Sequence, residues 1–79
     1  MMYQVEDNTI MFEIDRRKIA DITPGDTLKT NVLSIGEYVW TEHDSQFVES
    51  NPDAHLFLKV RKDGGNNYKG LGVIVIPAE

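Results

Sequence analysis

Apolar side chains recur at every second position in two stretches of this chain, Ile10-Phe12-Ile14 and Leu56-Leu58-Val60. A period of two puts all three on one side of an extended strand, whereas on a helix the same residues scatter around the axis. Composition points the same way, because seven Val and seven Ile stand against five Leu and three Ala. β-Branched side chains lose rotamer freedom against the preceding turn of a helix but fit a pleated surface. The expected fold is therefore all-β, or mostly β with at most one short helical turn.

Turn chemistry divides the chain into short strands. Residues 3–5 are expected to fold back through Asp7-Asn8 onto a strand at 9–14. Over 15–22, Asp15 offers an N-cap and Ile19 with Ile22 fall at helical spacing, but three cations in the first turn oppose the helix dipole, so one helical turn or a plain loop is expected. Thr23-Pro24-Gly25-Asp26 has Pro and Gly at the two central positions of a type II turn. Strands at 27–35 and 37–41, separated by Gly36, read as a tight hairpin. Alternation fails from 42 to 53, which reads as a long loop with Phe47-Val48 to anchor it or to cap one helical turn. The last hairpin pairs 55–61 with 68–76 around a Gly-rich turn at 62–67. Gly70 and Gly72 mark a bend or a close backbone approach in its second strand.

Five or six strands in 79 residues fit one domain spanning 1–79, built as a small five- or six-stranded antiparallel barrel or a compact sandwich. The expected core is Ile10, Phe12, Ile14, Leu28, Val32, Leu56, Leu58, Val60, Ile74 and Ile76.

Charge narrows the function. Eight Lys and Arg against thirteen Asp and Glu give a net charge of −5. A phosphate backbone is held largely by Lys and Arg displacing counterions, so this balance disfavours a nucleic-acid ligand. The imbalance is also local: residues 30–58 hold five acids and no base, while residues 59–79 hold two acids and four bases. The chain has no Cys, which removes disulfides, thiol nucleophiles and thiolate metal sites. Acids occupy the start of the chain, and the longest apolar run is Val73-Ile74-Val75-Ile76. No export signal or membrane span is expected, and the cytoplasm is the expected compartment.

The groups that catalysis would need are sparse. His43, Asp44 and His55 are the candidates for acid-base or metal chemistry, but neighbouring side chains diverge, so His43 and Asp44 form no dyad by adjacency. Ser34, Ser45 and Ser50 lack the strand-turn-helix setting of an exposed nucleophile. Asp63-Gly64-Gly65 and Gly70-Leu71-Gly72 lack the helix and the Lys-Ser or Lys-Thr pair of a phosphate cradle. No catalytic residue, cofactor or metal is expected.

The leading expectation is a non-catalytic acidic module that inhibits or antagonises a basic protein partner, in the manner of immunity or anti-defence proteins. Its working surface is Glu37, Tyr38, Trp40, Glu42, Asp44, Phe47, Glu49 and Asp53, where aromatic anchors lie among carboxylates. One alternative is an OB-like single-stranded nucleic-acid binder that stacks bases on Tyr38, Trp40 and Phe57 beside Lys59, Arg61 and Lys69. Another is a self-associating structural subunit. Because the 73–76 run is apolar on both faces, a homodimer with Val73 and Val75 at its interface is expected.

Overall fold

The computed structural model of the chain describes residues 2–28, 38–65 and 67–78. β1 (Met2–Glu6) and β2 (Thr9–Ile14) form the expected N-terminal hairpin. Asn8 turns it with a φ of 62°, a left-handed conformation that Asn tolerates better than most side chains. Asp15 caps one 3₁₀ turn, Arg16–Ile19, by accepting the Arg17 amide at 2.9 Å. The Thr23–Asp26 turn closes with an Asp26 N–H to Thr23 carbonyl bond of 3.0 Å and with Gly25 at φ 97°. β3 (Thr27–Leu28) then pairs antiparallel with β4 (Tyr38–Val39). The rest of the expected 27–35 strand, with Val32 and Gly36, lies outside the described residues.

β5 (His55–Lys62) and β6 (Tyr68–Ile76) form the last hairpin. β5 also pairs antiparallel with β2, giving a sheet ordered β1-β2-β5-β6 beside the two-stranded β3-β4 ribbon. The protein is mostly β. A β6–β1 pairing that would close a barrel is not among the described pairings.

Residues directly opposed across strands share a face of the sheet. Ile10, Phe12 and Ile14 lie opposite Val60, Leu58 and Leu56, and Leu58 and Leu56 lie opposite Val73 and Val75. These residues, joined by Ile19 and Trp40, make the core, with Leu28 and Tyr38 packed against it. The pairing of β6 departs from expectation in its phase. Val60 faces Gly70 while Lys59 faces Gly72, so Leu71 is an extra residue looped out of the ladder. One inserted residue sends every later side chain to the other face. Val73 and Val75 therefore pack on the core instead of forming an outward interface. Ile74 moves to the opposite face, where Ile76 is 36% exposed.

The second departure is helical. The stretch expected as a loop contains α1 (Glu42–Glu49), two turns rather than at most one. Thr41 starts it with a capping box: its hydroxyl accepts the Asp44 amide, and the Asp44 carboxylate accepts the Thr41 amide. Glu42 and Asp44 in the first turn also suit the positive end of the helix dipole. At the other end the Asn51 side chain donates to the Phe47 carbonyl at 2.8 Å.

Candidate functional site

Tyr38 and Trp40 alternate along one side of the chain and reach successive residues in the first turn of α1. The Tyr38 hydroxyl donates to Asp44 Oδ2 at 2.8 Å, and Trp40 Nε1 donates to Ser45 Oγ at 2.9 Å. The Trp40 backbone binds the type II turn, its N–H to Asp26 at 2.8 Å and its carbonyl from Gly25 at 2.9 Å. Trp40 is 2% exposed and Asp44 4%, which corrects their expected place on a working surface. A large indole whose N–H finds a partner is stable inside. A carboxylate is tolerated there because Tyr38 and the Thr41 amide both donate to it. Burial, reinforced by the hydrogen bond to Asp44, pushes the Tyr38 phenol up from 10.0 to about 12, since a phenolate beside a carboxylate is disfavoured.

Tyr38 also explains a glycine. A Cβ on Gly70 would sit 2.9 Å from Tyr38 Cδ1, so the ring rides directly on the backbone of β6. The close approach expected at that Gly-rich stretch is made by Tyr38.

The surface left to this region is acidic. Glu42, Gln46 and Glu49, spaced i, i+4, i+7, fall on one side of α1 and are exposed, as is Asp53 beyond the helix. Phe47 is half-buried, and its ring stacks on His43 with centroids 5.8 Å apart. Glu37 lies outside the described residues. The fold thus leaves Glu42, Glu49 and Asp53 exposed while drawing Tyr38, Trp40 and Asp44 inward.

Arg16 joins this region from far along the chain. Its guanidinium donates to the carbonyls of Asn51 and Ala54, with Nε to Ala54 at 3.1 Å, and so clamps the exit of α1. The sequence offers no local cue for contacts spanning 35 and 38 residues. Arg17 instead pairs with Asp15 at 2.7 Å and holds that carboxyl down at about 2. Arg16 shares a groove of about 580 Å³ with Glu13, Asp53 and His55. His55 Nδ1 lies 3.2 Å from Glu13 Oε2 in an exposed pair. His43 and His55 thus have separate partners, and no group of three metal-ligating side chains is assembled among the described residues.

The stacking set is divided between the two faces of the sheet. Phe57, Lys59 and Arg61 alternate on the face away from the core, with Lys69 opposite Arg61. Tyr38 packs against the core on the other side and Trp40 lies within it. Phe57 is itself 4% exposed, with Tyr3 tilted against it at a centroid distance of 5.7 Å. No family model, curated protein or solved structure matches the chain.

Proposed function

We propose that the protein is a non-catalytic acidic interaction module that binds a basic protein surface as an inhibitor or antagonist. The observation that carries this reading is the presentation of Glu42, Glu49 and Asp53. They are exposed on and just beyond a helix anchored at both ends, within a stretch, 38–58, that contains no Lys or Arg. A preorganised surface loses little conformational freedom on binding. Clustered charge of one sign raises the association rate of an oppositely charged partner. Action in the cytoplasm belongs to the same proposal. Among the described residues no helix is long and apolar enough to cross a membrane.

A single-stranded nucleic acid would find less here than the sequence promised. Base stacking contributes about 1–3 kcal/mol per base, and two of the three expected rings, Tyr38 and Trp40, are engaged with α1. The acidic helix is therefore preferred. The test is affinity capture from the native host at low salt, run in parallel with the wild type and the triple variant Glu42→Lys, Glu49→Lys, Asp53→Lys. A basic protein held by the wild type and lost by the variant, with unchanged circular dichroism, supports the proposal. A partner retained equally by both overturns it.

A further inference from the structure

We infer that Arg16 is a positioning residue of the acidic surface, holding the turn that carries Asp53 without neutralising Asp53. This role presupposes the acidic interaction surface proposed above. Asn51-Pro52-Asp53-Ala54 is a turn closed by an Ala54 N–H to Asn51 carbonyl bond of 3.3 Å, with Pro at its second position, where a fixed φ is favoured. The Arg16 guanidinium donates to the carbonyls at both ends of this turn, Asn51 and Ala54. A planar fork with several fixed donors can hold two acceptors at once. Asp53 lies between them in the chain and is exposed.

Glu13, Asp15 and Asp53 share a groove with Arg16. Among the described residues, however, its hydrogen bonds go to backbone carbonyls, and no ion pair joins it to a carboxylate. Asp15 is taken by Arg17 instead, at 2.7 Å. The guanidinium therefore fixes the turn while the Asp53 charge stays available to a partner. The two effects of Arg16 on a basic partner have opposite signs. As a cation beside acids it repels such a partner, so by field alone its loss would tighten binding. As a clamp it reduces the freedom that Asp53 gives up on binding, so its loss weakens binding. A part-exposed cation among three carboxylates has a weak, screened field, and the clamp therefore dominates.

Titration of the whole chain with a decalysine peptide at low salt tests this, with circular dichroism confirming that each variant is folded. Asp53→Asn should weaken binding about twofold to fivefold, the range of one exposed charge pair. Arg16→Met, which keeps the aliphatic stem and removes the donors, should weaken it by a similar factor although the protein becomes more acidic. Combined with Asp53→Asn it should weaken binding no further, because Arg16 acts through the turn that carries Asp53. In Arg16→Met, backbone order parameters at the Asp53 and Ala54 amides should fall from about 0.85 to below about 0.6, with Leu58 unchanged. If Arg16→Met does not fold, Arg16→Lys replaces it: the charge stays, the fork is lost, and binding should weaken in the same direction. An Arg16 variant that binds as well as the wild type or better, beside a weakened Asp53→Asn, overturns the positioning role alone. So does a further loss in the double variant or a turn that stays rigid. A wild type that does not bind decalysine overturns the acidic-surface reading and this role with it.

Discussion

On the covered face of the sheet, Phe12, Ile14, Leu56, Leu58 and Val60 meet Trp40, and the contact is locked by hydrogen bonds from Tyr38 and Trp40 into α1. On the opposite face, Phe57 is just as deeply buried, with the ring of Tyr3 tilted against it. Strand β5 serves both faces with the run Leu56-Phe57-Leu58. One face thus has a second layer fixed by directional polar contacts, whereas on the other, among the described residues, Tyr3 and Ile76 stay exposed beside Phe57. Hydrophobic contact is tolerant of position, whereas the Tyr38–Asp44 and Trp40–Ser45 bonds specify where the second layer sits.

The largest expected break of this contrast is Trp40→Ala. Losing a fully buried indole that also anchors Ser45 should cost about 3–5 kcal/mol, enough to leave a domain of this size largely unfolded. Phe57→Ala should cost less, at the lower end of that range, because the exposed Tyr3 and Ile76 beside it can settle into the gap. Urea denaturation of the two variants checks the order, and a larger loss at Phe57 would reverse the roles given to the two faces. Asp44→Ala comes next. It removes half of the capping box and leaves the Tyr38 hydroxyl and the Thr41 amide without their acceptor, for about 2–3 kcal/mol.

Gly70→Ala sharpens the comparison at a single atom. The added methyl meets the Tyr38 ring, so overpacking of about 1–3 kcal/mol is expected. Gly65→Ala, whose Cβ would meet only Asp63 Oδ1 at 3.6 Å, should change stability by no more than about 0.5 kcal/mol. Equal effects in thermal melts would mean that Tyr38 does not seat on β6. A smaller signature is the titration of Tyr38. Its folded-state pKa lies above the unfolded value of 10.0, so its contribution to stability is complete below pH 10 and is lost as pH rises toward 12. Ultraviolet titration should show one of the three tyrosines ionising late, and Tyr38→Phe should remove that step.

The hairpins were legible because their signals are local. Alternation in 9–14 and 55–61, Asp7-Asn8, Pro24-Gly25 and the Gly-rich 62–67 segment each act within a few residues. The phase of β6 was not legible, because nothing in Gly70-Leu71-Gly72 states which residue leaves the ladder. α1 was missed for a different reason. Its eight residues offer only Phe47 and Val48 as apolar positions, too few for a periodic stripe, and its cue was the Thr41-x-x-Asp44 spacing of a capping box. The acidic character of 37–53 could be read from the chain, but which of its side chains face outward depends on bonds made only in the fold. Asp44 is drawn in by Tyr38, and Arg16 arrives from the opposite side of the sequence.

The acidic surface of α1 is tested most directly by association kinetics with the captured basic partner, measured across ionic strength for the wild type and for E42K/E49K/D53K. These exposed charges should alter stability by no more than about 0.5 kcal/mol each, so the effect should lie in binding. The wild-type association rate should fall steeply with added salt, because steering fields are screened over roughly 8–10 Å at physiological ionic strength. The triple variant should associate at least about tenfold more slowly at low salt, with a smaller change in dissociation rate. An association rate that is insensitive to salt and unchanged by the three reversals would contradict the assignment of this surface.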